Sequence, residues 1–172
     1  YTLVSGQTRN GKITFEQYIQ AAGFDSILQA ANRHLLPMSD NQFQLYRQTN
    51  AVGKQTNTFL DLEVLDISTG KRRPVGNLSG GESFKASLSL ALGLSDTIAE
   101  NRGGIQMDAL FVDEGFGTLD SKSLEETKDA LLSMSGENKL VGIISHRDEL
   151  MDIPQKLRVT KGRGGSRIQM EL

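Results

Sequence analysis

The chain contains no cysteine among its 172 residues, which removes disulfides, Cys-ligated zinc, iron–sulfur clusters and thiol catalysis from consideration. It also lacks an excess of either charge: 19 Lys plus Arg stand against 21 Asp plus Glu, a formal net charge of -2. No global basic field is available to recruit DNA or an anionic lipid surface, so any nucleic-acid contact must come from a local patch. No apolar run approaches the ~20 residues needed to span a bilayer, and the opening Tyr1-Thr2-Leu3-Val4-Ser5-Gly6 has neither a charged n-region nor an h-region. A soluble, cytoplasmic chain with no membrane partner is expected. The sequence opens on Tyr1 in place of an initiator Met, so a piece of a longer protein is expected, and the length suits one domain or part of one.

What is present falls into two halves. Thr14 and Gln17 have capping-box spacing, and Phe15, Ile19, Ala22, Ile27, Ala31 and Leu35 recur at helical intervals ahead of Pro37, predicting a helix over residues 15–36. Residues 43–47 and 59–67 read as extended, the second alternating Leu60, Leu62 and Val64 against Asp61, Glu63 and Asp66. Antiparallel strands with one buried and one wet face are expected. Residues 50–57 read as a mobile loop and Ser68-Thr69-Gly70-Lys71 as a turn. In the second half, a Gly-rich approach leads into an apolar stretch over residues 84–98 whose Ala, Leu and Ser are spread almost all round, the pattern of a buried helix. Ala109-Leu110-Phe111-Val112 and Val141-Gly142-Ile143-Ile144 flank a helical segment over residues 121–134. That order is a βαβ unit, with parallel strands expected to be covered on both faces. Residues 156–160 and 167–172, around Gly162-Arg163-Gly164-Gly165, read as a terminal hairpin.

The chemistry-bearing residues cluster in that second half. Asp113-Glu114 ends the first apolar run, at the strand edge where open α/β sheets bind ligands. An Asp there can hold Mg²⁺ while the next carboxylate orients or deprotonates an attacking water; the competing reading is an acidic strand-to-loop junction. Ser145-His146 ends the second run, which a βαβ sheet places on the same edge. Its imidazole can contact a phosphate or the attacking water, or be an ordinary surface histidine. In Leu78-Ser79-Gly80-Gly81-Glu82, Ser79 at N-cap and Glu82 at N3 form a capping box, and the glycines leave backbone N–H groups open at a helix N-terminus, an anion site. Glu82 would add negative charge beside a phosphate, so it should turn back to the cap. A capped helix alone explains the box but not both glycines.

Two further features carry less. Gly6-Gln7-Thr8-Arg9-Asn10-Gly11-Lys12 fits P-loop spacing as far as the Lys, but Ile13 stands where a hydroxyl is needed for Mg²⁺; Asn10-Gly11 reads better as a hairpin turn. Lys156, Arg158, Lys161, Arg163 and Arg167 form a run without acidic residues between Ile153 and Met170. It reads as the solvated face of a hairpin, with contact to DNA phosphates as the other reading. Lys71-Arg72-Arg73 is open to a DNA or coiled-coil contact in the same way.

Taken in order, Asn77-Leu78-Ser79-Gly80-Gly81-Glu82, Ala109-Leu110-Phe111-Val112-Asp113-Glu114, Gly117-Thr118-Leu119-Asp120 and Ser145-His146 resemble the ABC-ATPase series of signature motif, Walker B with catalytic Glu, D-loop and switch histidine. Within that superfamily, the ten residues from Ser79 to Leu88 and the ten from Phe111 to Asp120 are similar to the SbcC family, the SMC-like ATPase subunits of bacterial SbcCD nucleases. Phe15, Tyr18, Ala31-Asn32, Met38-Ser39 and Leu45 are similar to the stretch that follows the returning coiled-coil strand of that family. The chain lacks a credible Walker A, heptads and the Cys motif of the coiled-coil apex. The resemblance therefore implies an α/β fold that is the C-terminal lobe of an ABC-type P-loop ATPase head, a parallel βαβ core with antiparallel strands and a terminal hairpin. Residues 1–75 would lead from the coiled coil and 76–172 would form the motif-bearing core.

The same resemblance implies ATP and Mg²⁺ as ligands. Asp113 would help hold Mg²⁺, Glu114 would be the general base and His146 the γ-phosphate sensor. Ser79, Gly80 and Gly81 would meet the nucleotide of a second head, and Asp120 would cross the dimer interface. The implied partners are an N-terminal Walker A lobe, a second ATPase head, an SbcD-type nuclease subunit and DNA. Other readings are a lobe of another SMC-type or ABC protein, although a transporter usually has Gln where Glu82 stands, and a non-enzymatic interaction module using the Gly80-Gly81 helix end.

Overall fold

A computed structural model describes residues 15–48, 60–101, 108–135 and 140–171. The elements run α1 (Phe15–Met38), β1 (Phe43–Arg47), β2 (Leu62–Asp66), β3 (Lys71–Pro74), α2 (Gly80–Asn101), β4 (Ala109–Asp113), α3 (Ser121–Met134), β5 (Leu140–Ile144), β6 (Lys156–Gly162) and β7 (Gly165–Glu171). The Thr14 cap, the P-loop-like segment ending at Lys12 and the loop expected at 50–57 lie outside the described residues.

The helix expected to stop before Pro37 runs on to Met38. A proline in the last turn keeps helical φ and removes one N–H only. The helix closes through left-handed Asp40 and Asn41, with the Asn41 N–H donating to Leu36 O at 2.8 Å. Its Asn32 side chain then pairs with the backbone of β1, accepting from Leu45 N at 2.7 Å and donating to Leu45 O at 2.9 Å.

β1, β2 and β3 form an antiparallel sheet in that order, with Leu45 opposite Val64 at its buried centre. The third strand corrects the sequence reading. Lys71-Arg72-Arg73, weighed as a basic contact site, forms most of β3 and pairs with β2. Arg72 lies 4.3 Å over the Tyr46 ring and Arg73 5.5 Å from that of Phe43, so two of the three cations are engaged within the fold. The second strand also begins at Leu62, inside the expected 59–67.

α2 carries buried side chains toward two clusters, which is why its sequence is apolar nearly all round. Leu88 and Leu92 join Met38, Val112, Phe116, Leu119, Leu124 and Leu131 on one side. Ala86 joins Leu28, Ala31, Leu35, Leu45 and Val64 on the other. β4 and β5 pair in parallel, Phe111 opposite Gly142 and Asp113 opposite Ile144, as the βαβ order requires.

Among the described residues their expected double covering is not found. Val112 is buried, while Phe111 is 65% exposed, Leu140 60% and Ile144 52%. Alternation explains the set: Phe111 and its cross-strand neighbours share the face opposite Val112, and no described element packs on it. The terminal hairpin β6–β7 is antiparallel as expected, and Leu157, Val159, Ile168 and Met170 on it are likewise exposed. Among the described residues, no helix is long and apolar enough to cross a membrane.

Candidate active site

The parallel pairing of β4 and β5 brings the two strand ends to one edge. Glu114 follows β4 and its N–H donates to Ile144 O at 2.9 Å, extending the ladder by one residue. There the chain turns sharply: Glu114 has φ 59° and Gly115 φ 93°. A left-handed Glu is disfavoured by roughly 1–2 kcal/mol, and such outliers concentrate at functional sites. The turn sets Glu114 Oε1 3.2 Å from His146 Nδ1. Both side chains are open, 56% exposed for Glu114 and 77% for His146. Asp113, at the last position of β4, is exposed beside them.

Phe84 of α2 supports this turn from beneath. A side-chain carbon on Gly115 would meet the Phe84 ring at 2.2 Å, so glycine is required there for space as well as for φ. Phe84 also meets Phe116 edge-on, with ring centroids 5.1 Å apart. The helix that begins at the glycine pair is thus in direct contact with the acidic turn. Nothing in the spacing of the sequence signalled this role for Phe84.

The Ser79–Glu82 cap has the expected reciprocal geometry. Ser79 N–H donates to Glu82 Oε2 at 2.7 Å and Glu82 N–H donates to Ser79 Oγ at 3.3 Å, so Glu82 turns back to the cap. Arg73, which sequence reasoning missed, completes it by donating to Asn77 O at 2.7 Å and Glu82 Oε1 at 3.1 Å. Partial burial works to raise the Glu82 carboxyl, but the Ser79 N–H and hydroxyl together with Arg73 outweigh it and hold the group below its ordinary 4.5. A carboxyl lowered in the folded chain adds stability above its ordinary value and loses it as pH falls through the folded value. Arg73→Met is therefore expected to destabilise the chain by about 1 kcal/mol at neutral pH. In denaturant titrations the difference should shrink on acidification below 4.5; an effect that persists at low pH would assign Arg73 a packing role instead.

Beside the cap lies a cavity of about 490 Å³ lined by Ser79, Gly81, Lys85, Asp120 and Ser123 among others. Gly81 faces Thr118, whose carbonyl oxygen would stand 3.1 Å from an added side-chain carbon. Asp120 caps α3, accepting from Ser123 N at 2.8 Å, and that N–H with the Ser123 hydroxyl lowers its carboxyl. This capping is a local role that the sequence reading did not assign to Asp120. The structure thus groups Asp113, Glu114 and His146 at one edge, and Ser79, Gly80 and Gly81 next to the turn before Asp120.

A hard carboxylate at the strand end suits Mg²⁺, which takes one or two protein carboxylates and fills its shell with phosphate oxygens and water. Among the described residues, no group of three or more His, Asp and Glu side chains could hold a metal ion alone.

Residues 51–132 match the family model described as SbcC/RAD50-like, Walker B motif. Over 158 residues, 91% of the chain, it is 43% identical to the SbcC component of the SbcCD nuclease from Staphylococcus aureus strain JH9. The chain belongs to the SbcC/RAD50-like family. It spans about 15% of the length of that relative.

Solved structures agree on the fold. The chain is similar, with a TM-score of 0.69 and 15% identity, to a structure from work on the structural biochemistry of ATP-driven dimerization and DNA stimulated activation of SMC ATPases; the match covers 90% of this chain and 88% of that one. An SMC head domain from Thermotoga maritima matches with a TM-score of 0.58 and 17% identity, covering 91% of this chain and 51% of that one. This SbcC-like chain thus has a mixed α/β fold similar to that of SMC head domains.

Proposed function

We propose that the chain is the C-terminal lobe of an ATP-hydrolysing head, with residues 76–172 forming the motif-bearing core, and that the head controls DNA cleavage by a partner nuclease of the SbcD type. The observation that carries the catalytic part is the 3.2 Å approach of His146 Nδ1 to Glu114 Oε1 at one edge of a parallel strand pair. Glu114 is the general base that accepts the proton of the attacking water. His146, held through Nδ1, presents its second ring nitrogen to the γ-phosphate. Asp113 holds Mg²⁺, which supplies charge neutralisation on the phosphates when bound. The Ser79 hydroxyl and the N–H groups after it receive the γ-phosphate of a nucleotide carried by a second head, and Asp120 lies across that interface.

The β- and γ-phosphate cradle belongs, in this reading, to a Walker A lobe that also covers the open face of Phe111, Leu140 and Ile144. An apolar face of that kind is disfavoured in water and fits an intramolecular partner of complementary shape. Closure of two such heads around ATP then alters the access of DNA to the nuclease. The purified chain alone is expected to hydrolyse ATP no faster than buffer, because positioning of the phosphates is most of phosphoryl-transfer catalysis. Mixing it with a Walker A lobe from the same family should restore turnover in a phosphate-release assay. Turnover by the chain alone would reinstate Lys12 as a P-loop lysine. No turnover in any mixture would leave a passive interaction module as the better reading.

A further inference from the structure

Lys85 sits in α2 five residues after Gly80, about 7.5 Å along the helix, and is only 8% exposed. Lysines are almost never so buried unless paired. Here the ammonium donates to Ser123 Oγ at 2.9 Å and pairs with Glu126 Oε2 at 3.1 Å. Both partners lie in the first two turns of α3, the helix capped by Asp120. Glu126 also meets Lys122 at 3.4 Å, and Lys122 meets Asp40 at 2.9 Å beyond the end of α1. One chain of charges therefore joins the start of the signature helix to the start of the helix after the D-loop.

Burial of such a pair does little for net stability, since apolar groups of similar volume often serve as well. Leu88 of α2 and Leu124 of α3 already belong to one apolar cluster that joins the two helices. What the pair adds is register. The ammonium meets both oxygens in the present placement of α2 and α3, and sliding either helix by one residue, about 1.5 Å, would lengthen these contacts and weaken the pair. The close approach of Gly81 to Thr118 O ties the same two segments a few residues away.

We propose that Lys85 is a positioning residue: through Ser123 and Glu126 it locks the signature loop to the N-terminus of α3, so that Ser79, Gly81 and Asp120 meet a second head as one rigid surface. This deepens the ATPase reading and rests on it. Breaking the lock leaves each head able to bind its own nucleotide and uncouples the two sites.

The test uses the assembled head, this chain with a Walker A lobe, in Lys85→Met, Lys85→Arg and Glu126→Gln variants and the double variant Lys85→Met/Glu126→Leu. ATP turnover in Lys85→Met and in the double variant is expected to fall about tenfold in kcat with KM for ATP within twofold, and the Hill coefficient should drop toward 1. Lys85→Arg should recover kcat to within threefold. The double variant, with an apolar pair in place of the charges, should melt within a few degrees of the parent, which separates coupling from folding. Amide exchange of Ser123 and Leu124 in this chain supplies a readout independent of hydrolysis: Lys85→Met should speed it about tenfold. Parent-like kcat and Hill coefficient in the double variant overturn the proposal while leaving the ATPase reading intact. Absence of turnover in the parent head defeats the ATPase reading, and unchanged exchange at Ser123 then rejects the lock as well.

Discussion

Glu114→Gln is expected to reduce ATP turnover of the assembled head by 10²- to 10⁴-fold, the usual contribution of a positioned general base, equivalent to about 3–5 kcal/mol of barrier. The substitution isolates one property. Gln has nearly the volume of Glu, incurs the same backbone penalty at φ 59°, and can still place an oxygen or an amide nitrogen 3.2 Å from His146 Nδ1. It cannot accept a proton from water at neutral pH. ATP affinity should therefore be preserved, and two heads should remain closed around unhydrolysed nucleotide, detectable as an ATP-dependent dimer by light scattering. His146→Ala, which removes an orienting group and leaves the base, should reduce turnover less, by about tenfold. If Glu114→Gln retained more than a tenth of parental turnover, the carboxylate would not be the base. The left-handed turn would then need another explanation.

That contact was legible in the sequence because it follows from topology. Two apolar runs separated by one helix must pair in parallel, so Glu114 and His146, each at the C-terminal end of its run, had to emerge on the same edge. The cap from Ser79 to Glu82 was legible for a similar reason: its hydrogen bonds span three residues and need no tertiary partner. β3 was not legible. Lys71, Arg72 and Arg73 have little intrinsic preference for a strand, and the strand exists because β2 offers its free edge and because Tyr46 and Glu82 receive two of the guanidinium groups. Phe84 and Lys85 escaped notice for the same cause. Their partners, Gly115 and Glu126, are more than thirty residues away, and helical periodicity gives no hint of them. The double covering expected for β4 and β5, which is not found among the described residues, is a matter of a different level. Sequence fixes which residues of a strand share a face, but not whether the element that covers that face belongs to the same stretch of chain.

Gly93→Ala should produce the largest loss of stability of any alanine substitution at a described helical glycine. In the middle of α2, Ala would ordinarily be favoured over Gly by roughly 0.5–1 kcal/mol. Here its side-chain carbon would stand 2.3 Å from Ala31 N, 2.7 Å from Ala31 Cα and 2.8 Å from Ile27 O. These are backbone atoms of a helix and cannot rotate aside, so α1 and α2 must separate. Overpacking of this kind costs about 1–3 kcal/mol and sometimes more; contact with rigid backbone puts this case at the upper end, about 3 kcal/mol net. For a chain of this size the melting temperature should fall by about 6–12 °C. Separation of the helices would also strain the bond between His34 Nε2 and Asp96 Oδ2, now 2.7 Å, and displace α2, whose first turn carries the signature loop. Gly23→Ala in α1 provides the control, because nothing lies within 4 Å of its added carbon. That substitution should stabilise by about 0.5–1 kcal/mol. The two variants make the same chemical change in two helices and differ only in what the new methyl meets, so opposite shifts in melting temperature would identify the α1–α2 approach as the cause. Shifts of the same sign would show that the helices have room to part, and that the glycine at position 93 is not what holds the signature helix against α1.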